Sequence, residues 1–101
     1  MKPVFVHEDA KTEWDHAIAY YEAKVRGLGL DFHGRVERAI QKIQRNPQIW
    51  PRHRDPRFRK YLMERFPYLI FYMERAEDIW IVAVAHAKRR PGYWRKRRPR
   101  M

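Results

Sequence analysis

The chain has 101 residues and no cysteine, so its fold cannot rest on disulfides, and a thiol nucleophile or thiolate-bound metal is excluded. At that length roughly 60–70% of the unfolded surface is buried on folding, enough for one two-layer domain over residues 1–101 and not for two. The net charge of +11 favours anionic partners, while charged Glu8 and Asp9 come too early for a signal-peptide core and no apolar run approaches a membrane span, so a cytoplasmic protein with no membrane partner is expected.

The short apolar stretch Lys2–Val6 predicts a strand. Asp9 is placed to cap a following helix, with Glu8, Glu13 and Asp15 near its positive end. Ala10, Trp14, Ala17, Ile18, Tyr21 and Val25 recur at helical spacing and make one apolar face, with Gly27 as its stop. A second helix is predicted over Leu30–Arg45, its stripe formed by Phe32, Val36, Ile40 and Ile43. Asn46-Pro47 ends it, because a residue before proline is pushed out of helical geometry. So short a connection makes the pair an antiparallel hairpin.

Residues 46–57 carry Pro47, Pro51 and Pro56 and read as an ordered loop. The pattern then turns β-rich, with strands predicted at Phe58–Arg65, Tyr68–Glu74 and Ile79–Ala87 and turns at Pro67 and Glu77-Asp78. Short connections make these an antiparallel meander. Tyr68–Met73 and Ile79–Ala85 are apolar on both faces, where a half-buried strand should alternate. Either the helices and the Pro-rich loop wrap both sides, or a partner protein supplies a missing layer against Tyr68, Ile70, Tyr72, Trp80 and Val82.

The charge is unevenly distributed. Eight basic and seven acidic residues precede Arg52, and fifteen basic and five acidic follow from it. The segment 88–101 holds Lys88, Arg89, Arg90, Arg95, Lys96, Arg97, Arg98 and Arg100 without an acid, interleaved with Tyr93 and Trp94. It is either a solvated tail or a surface for a polyanion or an acidic protein.

Tyr20-Tyr21-Glu22, Gly27-Leu28-Gly29, Phe32, Val36-Glu37, Asn46-Pro47 and Trp50-Pro51 in the first half resemble the RelE/ParE toxin superfamily. So do Arg65-Phe66-Pro67-Tyr68, Tyr72, Val82-Ala83-Val84-Ala85-His86 and Arg89-Arg90-Pro91-Gly92-Tyr93-Trp94 in the second. The resemblance spans about Val4 to Arg95 in one order. It implies an α+β fold, β-α-α-β-β-β, with an antiparallel sheet packed against an α-helical hairpin. It also implies a type II toxin–antitoxin module, in which a cognate antitoxin wraps the toxin in a hetero-oligomer and growth arrest follows when the antitoxin is degraded. RelE-like members are similar to metal-free ribonucleases that cut mRNA on the ribosome, and ParE-like members to inhibitors of DNA gyrase. The Tyr-Tyr-Glu, Asn-Pro, Phe-Pro-Tyr and Val-x-His elements stand closer to the ParE side, while the basic ending departs from many ParE relatives.

Metal-free RNA cleavage needs a base for the 2′-hydroxyl, an acid for the leaving oxygen and cations for the phosphate. His86, Tyr93 and Arg65 are the candidates if the chain is a ribonuclease, and the resemblance sets Tyr93 nearest to the position where RelE-like members use a tyrosine or histidine. Arg59, Lys60, Arg89, Arg90, Trp94, Arg95, Lys96 and Arg97 are the candidate contacts to a target or nucleic acid, the arginines suiting phosphate by paired hydrogen bonds. Each has a plainer alternative. His86 ends an apolar strand in phase with Val82 and Val84 and can simply be packed; Tyr93 and Trp94 can tack the tail down; Arg59, Lys60 and Arg65 can be edge-strand charges. A non-toxic nucleic-acid binder with Tyr93 and Trp94 stacked on bases is a third reading. His7, His16, His33 and His53 lack metal-ligand spacing and there is no Gly-rich phosphate loop, so neither a metal nor a cofactor is expected.

Overall fold

The computed structural model describes residues 1–99. Strand β1 (Val4–Val6) leads into helices α1 (Glu8–Lys24) and α2 (Leu28–Arg45), then strands β2 (Arg59–Leu62), β3 (Tyr68–Glu74) and β4 (Ile79–His86). The sheet order is β1-β4-β3-β2. The meander β2-β3-β4 is antiparallel as the short turns require, but β1 joins β4 in parallel, so the sheet is mixed rather than antiparallel throughout. The reason is connectivity: the hairpin α1-α2 and the meander intervene between β1 and β4, and such a long crossover permits parallel pairing.

The helix ends differ instructively from expectation. His7, not Asp9, caps α1, its Nδ1 accepting from the Asp9 amide at 3.0 Å, while Glu8 and Asp9 occupy the first turn. The helix stops at Lys24 because Val25 is extended, and Gly27, at φ 87°, begins α2 instead of ending α1. One carboxylate stitches the hairpin together: Glu22 accepts from the Gly27 amide at 2.8 Å and the Gly29 amide at 2.9 Å. It thereby satisfies orphan donors at the start of α2, and its pKa is lowered chiefly by the Gly27 bond. Phe32, Val36, Ala39 and Ile43 form the buried stripe of α2, which ends at Arg45 before Asn46-Pro47.

A β-bulge in β4 decides which residues face which layer. Tyr72 pairs with Ile81 but Phe71 with Ala83, so Val82 is the extra residue. Ile79, Ile81 and Val84 therefore join Ile70 and Tyr72 under the helices, whereas Trp80, Val82, Ala83 and Ala85 face the opposite side. His86 is consequently in phase with Val84 but not with Val82. The second side is not open: Phe58 from the Pro-rich loop and Trp94 from the C-terminal segment cover it. Trp94 stacks on Phe71 with centroids 4.4 Å apart and meets Phe58 edge-on.

Of the two alternatives the sequence left open, the chain thus covers both sides itself, which corrects the assignment of Tyr68, Ile70, Tyr72, Trp80 and Val82 as a surface left bare for a partner. Ile70, Tyr72 and Val82 are fully buried, Trp80 nearly so, and Tyr68 is half-buried against Phe32. The Tyr72 hydroxyl donates to Pro47 O at 2.6 Å, which compensates its burial. Segment 88–99 is likewise part of the folded layer; Arg100 lies outside the described residues.

Candidate functional site

Strand β1 reaches only Ile81 of its neighbour, and the His7 amide still donates to Ile81 O. Beyond it, backbone groups on that edge of β4 need other partners. Helix α1 and the C-terminal segment supply them, the segment folding back through turns, Arg95 N to Gly92 O and Arg97 N to Trp94 O, each at 3.0 Å. Arg97 Nη1 then donates to Val82 O at 2.9 Å, and the Val84 amide donates to Glu13 Oε1 at 3.1 Å. Arg97 also binds both Glu13 oxygens, at 3.1 and 3.0 Å. Glu13 on α1 accepts in addition from the Tyr93 hydroxyl. Burial opposes the charge on Arg97, but the bonds and attraction to Glu13 more than offset it and raise its pKa. Burial, then the bond to Glu13, also raises the pKa of Tyr93, so at neutral pH its hydroxyl donates to Glu13 rather than acting as a base.

The other proposed proton-transfer group, His86, has its Nδ1 engaged by the Lys88 amide at 3.0 Å and its ring against Tyr68. That bond leaves Nε2 as the protonated nitrogen of the neutral ring. His86 and Tyr93 line one cavity of about 200 Å³, together with Lys60, Arg89, Arg90 and the edge of Trp94. Arg65 lines no part of it: it sits in the β2–β3 turn at φ 70° and pairs with Asp31 at 3.1 Å. The three groups predicted for catalysis are thus not one constellation.

The predicted contact residues also separate. Lys60, Arg89 and Arg90 share the cavity of His86, and Arg95 lines an adjoining one of about 230 Å³. Arg59 turns away and donates to Trp50 O at 2.8 Å. Lys96 and Arg97 lie by His7 and Asp9, on another side, and Arg97 is occupied by Glu13. Trp94 is 1% exposed, so stacking on bases would require it to leave the core; this corrects its assignment as a base contact.

Sequence reasoning missed Glu13, whose partners lie 71 to 84 residues away, a pairing invisible to local pattern. It also missed His53 and Arg54. His53 lines both cavities, meets Phe71 and Trp94 edge-on, and accepts at Nδ1 from the Asp55 amide at 3.0 Å. Burial, then the charge of Lys60, lowers its pKa, so it is neutral at physiological pH. The run Arg52-His53-Arg54 in a proline-rich loop was the available signal. Among the described residues no group of three or more His, Asp or Glu side chains is arranged to hold a metal ion, and no helix is long and apolar enough to cross a membrane.

The fold, a helical hairpin over a four-stranded sheet, is similar to that of a solved structure, the chromosomal ParDE TA system from P. aeruginosa. A chain of that structure superposes with a TM-score of 0.76 at 17% identity, covering 87% of this chain and 98% of that one; at such identity the likeness is one of fold. No curated protein matches. The family model "ParE toxin of type II toxin-antitoxin system, parDE" matches residues 4–91. The chain belongs to this ParE toxin family.

Proposed function

We infer that the chain arrests growth by binding and inhibiting DNA gyrase, without cleavage chemistry of its own, and that a cognate antitoxin neutralises it. Beside the family membership, the observation that carries this reading is the commitment of Tyr93: its hydroxyl donates to Glu13, and burial and that bond raise its pKa. A group so held serves structure better than proton transfer. An apolar cavity beside an edge strand supports one place for the antitoxin. With the central sheet covered, the remaining apolar ground beside Trp80 is a cavity of about 700 Å³ along β1, lined by Phe5, Val6 and Pro99 among others, with Phe5 55% exposed. An extended antitoxin segment can pair with the open edge of β1 and bury Phe5.

A ribosome-dependent ribonuclease is the second reading, favoured by one observation: His86 and Tyr93 share a cavity with Lys60, Arg89 and Arg90. Pulse labelling of cells after induction separates the two. Gyrase inhibition stops DNA synthesis first and co-expressed antitoxin restores growth; early arrest of protein synthesis would support the ribonuclease instead.

A further inference from the structure

The two adjoining cavities make one groove, since both are lined by His53, Lys60, Pro91 and Gly92. Arg54 and Arg95 flank one end, and Arg89 and Arg90 the other. No carboxylate lines either cavity. Two acids touch the lining and neither is free: Asp55 is bound by Arg57 through two side-chain bonds and touches Arg95 only at 3.7 Å, and Glu13, which accepts from the Tyr93 hydroxyl, is paired with Arg97. Among the described residues, Arg54, Lys60, Arg89 and Arg90 have no ion-pair partner. Arg89 lies over the Tyr93 ring, its guanidinium carbon 4.0 Å from the centroid, a contact that orients it and leaves its charge uncompensated. Five like charges around one concavity repel one another and attract a polyanion. The lowered pKa of His53, caused after burial by Lys60 and opposed by Asp55, registers the same field.

The groove's walls decide what kind of polyanion. An acidic peptide binding by strand addition needs an open strand edge. Here the β2 edge is already closed by its own loop, through the Arg52–Arg59 bridge, His53 N to Phe58 O and Lys60 N to Pro51 O. The end of β4 is closed by Ala87 N to Pro67 O. What remains are side-chain donors, four of them arginines, whose planar forks match phosphate oxygens. We propose that this groove grips the phosphate backbone of duplex DNA, so that the chain touches DNA directly as well as the protein that holds it. The choice of DNA rests on the gyrase reading; the groove's affinity for phosphodiesters does not.

A chain of this net charge binds DNA weakly wherever its cations lie, so the test must separate groove from bulk charge. Fluorescence anisotropy of a labelled duplex, and of a single-stranded RNA of equal length, is titrated with the full chain at several salt concentrations. Lys60→Gln/Arg90→Gln is compared with Arg38→Gln/Lys42→Gln, which removes two charges from α2 beside a different pocket. The groove pair is expected to weaken duplex binding at least about tenfold and to flatten the slope of log K against log salt by about two, while the α2 pair changes it less than about threefold. Arg54→Gln/Arg89→Gln is expected to repeat the groove result, with thermal melting of every variant confirming its fold. Equal losses from groove and α2 pairs, no loss from either groove pair, or tighter binding of RNA than duplex overturns the proposal. Gyrase supercoiling measured without these variants is an independent readout: a parent chain that binds duplex through the groove yet spares gyrase overturns the functional reading and leaves the groove standing.

Discussion

Glu13 is the side chain on which most depends. It is 14% exposed, its partner Arg97 16%, and between them they satisfy the two backbone groups that β1 is too short to reach. Glu13→Gln leaves the partly buried Arg97 with only the longer contact to Asp9, at 3.8 Å, as counter-charge and is expected to cost roughly 2 kcal/mol in urea denaturation. Tyr93→Phe removes one of several donors to the same carboxylate and is expected to cost about 1 kcal/mol. Toxicity survives in that variant if the chain is a gyrase inhibitor, because no proton passes through the hydroxyl. Its loss, with folding and antitoxin binding intact, would favour the ribonuclease. Titration gives a further check on these surroundings. The lowered pKa of His53 means that its contribution to stability is complete above its ordinary value of 6.5 and is lost as pH falls below it. The lowered carboxyls of Glu74, bonded to Lys2, and Asp78, bonded to Arg75, act in the same direction at more acidic pH. Tyr72 and Tyr93, both raised mainly by burial, contribute fully below 10 and lose that contribution as pH rises beyond it. Stability is therefore expected to form a plateau at about pH 7–9 with a limb on each side; a rise on acidification from pH 7 to 5 would contradict these assignments.

Among the elements, the hairpin was the most legible in the sequence, because the Phe32, Val36 and Ile43 stripe repeats at helical period and Asn46-Pro47 can only be an end. Its internal stitching was not. Tyr20-Tyr21-Glu22 and Gly27-Leu28-Gly29 were recognisable as a pattern, but only the structure shows Glu22 bonded to both glycine amides. The close approach explains the second glycine: a Cβ at Gly29 would fall against Ile18 O and 2.8 Å from Glu22 Cβ. Gly29→Ala is expected to cost about 1–3 kcal/mol, whereas Gly34→Ala, which meets only the end of the Arg38 side chain at 3.4 Å, is expected to gain about 0.5–1 kcal/mol. Thermal denaturation of the two variants reads the opposite signs. In the sheet, apolar runs on both faces showed that β3 and β4 need cover on both sides, but not whether this chain or a partner supplies it. The bulge at Val82 shifts the alternation by one residue, and no local pattern distinguishes an extra residue in an all-apolar strand. The covering element is the C-terminal segment that its charge made look like a tail. Trp94→Ala should accordingly cost about 3–5 kcal/mol in denaturant titration, as the loss of a core aromatic does.

At the scale of the whole molecule, the same short segment does two jobs, and the sequence showed only the charge that serves one of them. Trp94, Tyr93 and Arg97 point inward and close the fold, while Arg89, Arg90 and Arg95 line the groove. Of the groove's lining, Arg89, Arg90 and Arg95 stood out in one contiguous basic run, whereas His53 is brought to it, and Glu13 to Arg97, only by folding. Arg65 and Arg59 were grouped with the site by residue type alone, and their partners Asp31 and Trp50 O hold them elsewhere. On the gyrase reading proposed above, the chain acts through a surface on a macromolecular target. The most direct measurement adds the purified chain to gyrase and relaxed plasmid, and in parallel to ribosomes translating a defined mRNA. The expected result is dose-dependent loss of supercoiling, reversed by antitoxin, with the mRNA intact. Ribosome-dependent cleavage of the mRNA with supercoiling unaffected would contradict the gyrase reading.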